Sequence, residues 1–218
     1  MKPSIHIIGD STAAKKVPET RPESGWGEHL HLYLPDDFKI ENAAVNGRST
    51  KSFVDLGHFK FVDDALKTGD YLLIQFGHND QKFDDPARFT EPFNSYQENL
   101  RNYVAAARAK DVTPIILTSV TRRAFDEGQL DPKALGDYPR AALEVAKELD
   151  VQTIDVFSLT QNLVQSLGDE KSKELYLHLA EGEHSNYPDG VFDDTHFNET
   201  GAKVVAELIA KEFLALTK

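Results

Sequence analysis

Five short runs rich in Ile, Leu and Val recur along this chain, at residues 4–8, 39–44, 71–76, 114–118 and 152–156, and longer stretches with helical spacing lie between them. That alternation constrains the fold more than any other feature. Short strands that read as near-continuous apolar runs are buried on both faces, and strands alternating with helices build a parallel sheet covered by helices on both sides. Residues 94–110 read as the clearest helix: Asn94 stands at a capping position, Gln97 completes a capping box, and Leu100, Val104 and Ala107 follow at three- and four-residue steps. Residues 135–149 and 199–216 repeat the pattern, the latter through Val205, Leu208, Ile209 and Phe213. The 218-residue length suits one α/β domain, which commonly runs to about 200–250 residues. With no internal repeat, low-complexity segment or Gly/Ser linker, residues 1–218 are expected to form a single domain.

In an open α/β sheet the ligand site lies outside the carboxyl ends of the strands, so the residues that follow each run are the ones to inspect. Gly9-Asp10-Ser11-Thr12 follows the first run, "NGRST" from Asn46 follows the second, and "FGHND" from Phe76 follows the third. A fourth segment, "DDTHFNETGA" from Asp193, leads into the last helix. Ser11, on a tight turn leaving a strand, is either a nucleophile or the N-cap of a following helix. His196 is a natural base, because a neutral imidazole takes a hydroxyl proton near pH 7 and returns it to a leaving group. Asp193 stands three residues before it, a spacing that in a turn lets the carboxylate orient the ring; Asp194, one residue nearer, has the poorer reach. Acyl transfer also needs donors where the oxyanion forms, and the Gly47 N–H and the Asn79 amide are of the right kind. Each is equally an ordinary turn residue when taken alone.

Charge and composition remove several classes of function. The formal net charge of -12 and the lack of any long Lys/Arg run argue against partners such as nucleic acid or an anionic membrane. The chain contains no cysteine, which removes disulfides, thiolate metal sites and a Cys nucleophile. No stretch of about 18 apolar residues occurs, and the start "MKPSIHIIGDS" lacks the apolar core of a secretory signal; the expected location is cytoplasmic, or secreted if a signal has been removed from this sequence. A Gly-x-Ser-x-Gly elbow is absent, so an ordinary α/β-hydrolase is not expected.

Taken in order, Gly9-Asp10-Ser11, Gly47 within "NGRS", Asn79 within "GHND" and Asp193-x-x-His196 resemble the SGNH (GDSL-like) hydrolases. The wording of the blocks, with "GWG" at Gly25 and "QFGHND" at Gln75, is most similar to the rhamnogalacturonan acetylesterase branch. The resemblance implies a three-layer α/β/α sandwich around a central five-stranded parallel sheet of flavodoxin-like type. It implies a serine esterase acting on acetylated plant cell-wall oligosaccharides, with Ser11 as nucleophile, His196 as general base and acid, and Asp193 as its orienting partner. The Ser11 and Gly47 N–H groups and the Asn79 side chain would form the oxyanion hole, and no metal or organic cofactor would be required. Substrate contacts are expected from His78, Arg48, Arg122 and Trp26, though His78 can equally pack structurally, Arg48 stay at the surface and Trp26 fill the core. Arg122 and Arg123, in "TRRAF" after the fourth run, are the candidate basic patch for an acidic saccharide, or else pair with neighbouring acids.

Three other readings compete. A broad acyl-esterase, lipase or thioesterase would share the chemistry and differ in substrate; the polar post-strand segments, without an apolar lid, disfavour long acyl chains. A non-catalytic carbohydrate-binding module would keep the fold, but would not need every chemical position occupied. Metal-dependent hydrolysis is suggested by Asp10, His78 and Asp80 together with the Asp193–His196 cluster.

Overall fold

A computed structural model describes residues 2–217. The strands are β1 (Ser4–Gly9), β2 (Glu23–Ser24), β3 (Lys39–Asn42), β4 (Tyr71–Gln75), β5 (Thr113–Leu117), β6 (Phe125–Asp126), β7 (Gln129–Leu130), β8 (Gln152–Ile154), β9 (Tyr176–Leu179) and β10 (Val191–Asn198). The α-helices are α1 (Trp26–His29), α2 (Thr50–Asp55), α3 (His58–Ala65), α4 (Gln97–Arg108), α5 (Tyr138–Glu148), α6 (Val156–Ser172) and α7 (Glu199–Leu216).

The five expected runs form one sheet in the order β3-β1-β4-β5-β8, every pair parallel. Alternation along each strand sorts the core. Ile5, Ile7, Leu73, Ile115 and Leu117 face a cluster with Trp26 of α1, Val164 of α6 and the apolar stripe of α7. Ile8, Leu72, Ile74 and Ile116 face the other way, onto residues from α2, α3, α4 and α5. Helices therefore cover both faces, giving the three-layer α/β/α architecture the sequence implied.

The strand order positions the site. The chain leaves β1 for β3 on one side and then crosses back to β4 on the other, so the connections after β1 and β4 diverge and open a crevice at the carboxyl edge. Ser11 follows β1, Gly47 follows β3, and His78 and Asn79 follow β4.

A second sheet, β2-β10-β9, is antiparallel and was not foreseen. Asp193 pairs with Leu177, yet Phe197 pairs with Tyr176, the next residue back along β9, so the residues between Asp193 and Phe197 bulge out of the ladder. The Asp193–His196 segment is thus a bulged strand and not a simple turn. Bulges re-aim side chains in this way.

Two expectations about caps need correction. No helix follows Ser11: Ala13 and Ala14 both donate to the Asp10 carbonyl in a single turn, and it is the Asp10 carboxylate that receives the Thr12 N–H at 2.9 Å. Ser11 caps nothing, which leaves its hydroxyl free of that role. Nor does Asn94 cap the fourth α-helix. Pro92 opens a π-type turn in which Tyr96 donates to Glu91, the Glu91 N–H is taken by Ser95 at 2.9 Å, and α4 begins only at Gln97.

Candidate active site

Ser11 Oγ lies 2.8 Å from His196 Nε2, and His196 Nδ1 lies 2.7 Å from Asp193 Oδ2. The other carboxylate oxygen of Asp193 accepts the backbone N–H groups of Thr195 at 2.7 Å and His196 at 2.9 Å. This fixes the carboxylate before it meets the ring. Since an ionised carboxylate only accepts, Nδ1 carries the proton and Nε2 presents its lone pair to the serine hydroxyl.

Burial and pairing pull against each other on both groups. Burial raises the Asp193 carboxyl, but the hydrogen bond and charge of His196, with the two backbone donors, outweigh it and hold the carboxyl at about 2. Burial lowers the His196 imidazole, and the hydrogen bond and charge of Asp193 reverse that, leaving it above its ordinary value.

The Ser11 turn is braced from below. Gly25 and Gly27 press α1 against it so closely that a Cβ on Gly25 would stand 2.2 Å from the Ala14 carbonyl oxygen, and one on Gly27 2.6 Å from that of Ala13. Trp26, between them, donates its indole N–H to Gln75 at 3.0 Å and is 0% exposed. Its expected contact with substrate is therefore ruled out: "GWG" is a packing device that seats the turn. Lys16, which the sequence did not single out, reaches the Ser11 carbonyl at 2.5 Å, Asn46 Oδ1 at 2.8 Å and Glu23 at 2.7 Å. One buried ammonium joins the Ser11 turn to the Gly47 turn.

Neither the Ser11 nor the Gly47 backbone N–H is bonded to another backbone group among the described residues. Gly47 sits at φ +73°, the left-handed region that glycine enters without strain. Asn79 accepts Arg88 Nη1 on its Oδ1 at 3.2 Å and donates through Nδ2 to the Arg48 carbonyl at 3.1 Å, so its amide is oriented with the nitrogen toward the Gly47 turn. An amide nitrogen has two N–H groups, and the second remains for a ligand.

Ser11, Gly47, His78, Asn79, Arg122 and His196 all line one cavity of about 430 Å³, with Lys82 and Arg88 among the others. A larger cavity of about 570 Å³ opens at the amino end of the sheet beside His6 and Asp70. There His6 bonds Asp70 at 3.2 Å and no serine or threonine hydroxyl, so that cavity lacks a nucleophile–base pair.

His78 is 3% exposed and bonds Asp10 through Nδ1 at 3.3 Å. Burial raises the Asp10 carboxyl, but His78 and Thr12 together hold it below its ordinary value. Asp80 accepts the Thr50 N–H at 3.1 Å and the hydroxyls of Thr50 at 2.5 Å and Thr90 at 2.8 Å, and burial pushes it up to about 7. These carboxylates bind the fold together; among the described residues no group of three His, Cys, Asp or Glu side chains is placed to hold a metal ion.

The arginines divide. Arg122 lines the cavity, and burial holds its guanidinium below the ordinary value. Arg123 is instead buried against Asp169, Asp194 and Ser172, so it is no part of a surface patch. Arg48 bonds the Asn46 carbonyl at 3.2 Å and borders an adjoining hollow of about 280 Å³ that shares Gly47 and Arg88 with the Ser11 cavity; its backbone carbonyl also receives the Asn79 amide. Among the described residues, no helix is long and apolar enough to cross a membrane.

Comparison with known proteins places the chain among described families. Residues 7–204 match the model of the GDSL-like lipase/acylhydrolase family. The chain is 42% identical over 207 residues to the rhamnogalacturonan acetylesterase RhgT of Bacillus subtilis, covering 95% of this chain and 88% of the relative. It is 34% identical to the probable rhamnogalacturonan acetylesterase YesY of the same organism, covering 95% and 90%. The crystal structure of protein YxiM from Bacillus subtilis superposes with a TM-score of 0.82 at 24% identity, a likeness of fold that covers all of this chain and 57% of the other.

Proposed function

The chain belongs to the GDSL-like lipase/acylhydrolase family, and we propose that it is a serine esterase that removes O-acetyl groups from rhamnogalacturonan-derived saccharides, working as one domain over residues 1–218. One observation carries the mechanism: the serine–histidine–aspartate chain of 2.8 Å and 2.7 Å contacts, open to a polar cavity.

In this mechanism His196 Nε2 takes the Ser11 hydroxyl proton as Oγ attacks the acetyl carbonyl carbon. Charge develops on the carbonyl oxygen, where the Ser11 and Gly47 N–H groups and the second Asn79 N–H receive it; one such donor is typically worth about 3–4 kcal/mol. The imidazolium, stabilised by Asp193, then protonates the departing sugar oxygen. Acetyl-Ser11 remains, and a water deprotonated by His196 releases acetate and restores the hydroxyl.

The cavity lining favours a short acyl group on a polar alcohol. Around Ser11 it is made of Glu, Asn, His, Lys, Arg and Thr side chains and the Gly47 backbone, with no Leu, Ile, Val or Phe among the described residues to receive an alkyl chain. The test is acetate release across a panel of acetylated saccharides with Ser11→Ala as the blank, alongside nitrophenyl esters of increasing length. Loss of release in Ser11→Ala, with rates falling as the acyl chain lengthens, is expected. Rates that rise with chain length would overturn the acetyl assignment, and a Ser11→Ala variant that keeps most of its rate would overturn the mechanism.

A further inference from the structure

Each of the three oxyanion donors invoked above is one end of an amide, and the oxygen at the other end of that amide is occupied in every case. The Ser11 N–H is conjugated with the Asp10 carbonyl, which accepts the N–H groups of Ala13 at 3.2 Å and Ala14 at 3.1 Å. The Gly47 N–H is conjugated with the Asn46 carbonyl, which accepts Arg48 Nε at 3.2 Å. Asn79 Nδ2 is conjugated with Asn79 Oδ1, which accepts Arg88 Nη1 at 3.2 Å. Two of the three amides therefore carry a guanidinium on their oxygen. A cation there draws electron density away from the nitrogen and makes its hydrogens better donors, the cooperative strengthening that linked hydrogen bonds show, and a charged donor exerts it more strongly than a neutral one.

Arg88 is the better placed of the two. Its Nε donates to Asp85 Oδ2 at 2.5 Å, and the other oxygen of that carboxylate accepts the Ala87 N–H at 3.1 Å, so the guanidinium is anchored through one nitrogen while another meets Asn79. Asn79 is 4% exposed, and its Nδ2 is held by the Arg48 carbonyl at 3.1 Å. A guanidinium only donates and a carbonyl only accepts, so these two partners admit a single orientation of the amide. Asp85, Arg88 and Asn79 thus form a chain that ends at the oxyanion site, as Asp193 and His196 form one that ends at Ser11. The Arg48 contact is made to Asn46, an exposed residue, where water screens it more.

We propose that Arg88, and more weakly Arg48, are positioning residues of the oxyanion hole, each guanidinium orienting and polarising the amide whose N–H meets the oxyanion: Arg88 through the Asn79 side chain, Arg48 through the Asn46–Gly47 peptide. The inference rests on the esterase reading above and deepens one step of it, the stabilisation of the tetrahedral intermediate. Neither arginine has to touch the substrate. Because both contacts are made before the ester arrives, they cost no reorganisation as charge develops, and they act on the transition state more than on the bound ester.

The experiment is a pair of double-mutant cycles read with 4-nitrophenyl acetate, which carries no sugar for an arginine to bind directly. Arg88→Met is expected to lower kcat by about tenfold with KM changed by less than about twofold, and Arg48→Met to lower kcat by about threefold. In an Asn79→Ala background Arg88→Met is expected to cost less than about twofold more, because the amide it acts on is gone, while Arg48→Met keeps its full effect through Gly47. Arg88→Lys, which returns a charge without the planar fork, should recover part of the loss. The acid limb of the pH profile is expected to stay in place in each variant, which separates these losses from damage to the Asp193–His196 pair. An Arg88→Met loss undiminished in Asn79→Ala, a loss confined to KM, or a folded Arg88→Met at the wild-type rate would overturn the inference and leave the esterase reading intact. Asn79→Ala at the wild-type rate would overturn it too, by removing Asn79 from the oxyanion hole. If Arg88→Met does not fold, the same cycle is run with Arg88→Lys, whose smaller loss must likewise vanish in Asn79→Ala. A wild type that does not turn over 4-nitrophenyl acetate, or a Ser11→Ala variant that still does, would overturn the esterase reading and this inference together.

Discussion

Replacing Asp193 by Asn isolates the electrostatic part of the triad from its scaffold. Asp193 Oδ1 accepts two backbone N–H groups, from Thr195 and His196, and only an oxygen can occupy that place. The Asn side chain is therefore forced to put its oxygen there and its NH₂ against His196 Nδ1. Backbone bonds survive, but the ring now meets a donor at Nδ1, so its proton moves to Nε2 and faces Ser11. The carboxyl stands at about 2 against an ordinary 3.8; the His196 ring is the larger lowering influence and the two backbone donors the smaller, so after discounting for solvent at a carboxylate 29% exposed the share owed to the ring is at most about 2 kcal/mol. Loss of that share is at most about 30-fold in rate. The wrong tautomer adds to it, and a total loss of about 10³- to 10⁴-fold in kcat is expected, as for the corresponding substitution in serine proteases. The assay is kcat/KM for 4-nitrophenyl acetate across pH 4–9, with the melting temperature as the folding control. A second signature distinguishes this from simple damage. With Asp193 gone, burial is the dominant influence left on His196, so the acid limb of residual activity moves from above the ordinary 6.5 to below it. A folded Asp193→Asn variant within tenfold of wild type, or one with an unmoved acid limb, would refute the reasoning.

Further outcomes follow from the same contacts. Asn79→Ala removes one of the proposed oxyanion donors, and kcat should fall by about 10²- to 10³-fold with little change in KM; an effect confined to KM would reassign Asn79 to substrate binding. Lys16→Met strands Glu23 without its partner and frees the Ser11 carbonyl, so chemical denaturation should show a loss of about 3–5 kcal/mol. The double variant Lys16→Met/Glu23→Gln should recover part of it, and equal losses in single and double variants would contradict the pairing. Asp80 holds its proton more tightly folded than unfolded, so its contribution to stability is full below about pH 3.8, falls as pH rises through about 7, and is then constant. The fall amounts to as much as about 4 kcal/mol, and Asp80→Asn should flatten it, narrowing the difference in melting temperature between pH 5 and pH 8. Parallel melting curves for the two proteins would argue against a protonated Asp80.

What could be read from the chain, and what could not, divides along one physical line. The five sheet strands were legible because burial on both faces writes an unbroken apolar run, and their ends moved by only one or two residues: 4–8 became Ser4–Gly9 and 152–156 became Gln152–Ile154. Ser11, His196 and Asp193, which the fold brings within hydrogen-bond distance of one another, stood out in the sequence as an ordered set of short blocks, since each rides on or beside the end of an element. The second sheet was hidden because the bulge between Asp193 and Phe197 breaks the period of two by which a strand announces itself. Polar partnerships were hidden for a different reason: they are decided by three-dimensional proximity between residues far apart in the chain. Lys16 carries no local sign that it will meet Asn46, nor Ser95 that its hydroxyl will take the Glu91 N–H. Arg122 and Arg123 show the limit most sharply. They are adjacent and chemically identical, and alternation of the backbone sends one to Asp169 and Asp194 and the other to the wall of the Ser11 cavity. A sequence marks the pair as basic; only the register of the segment that follows β5 decides which member is spent on the fold and which is left to meet a substrate.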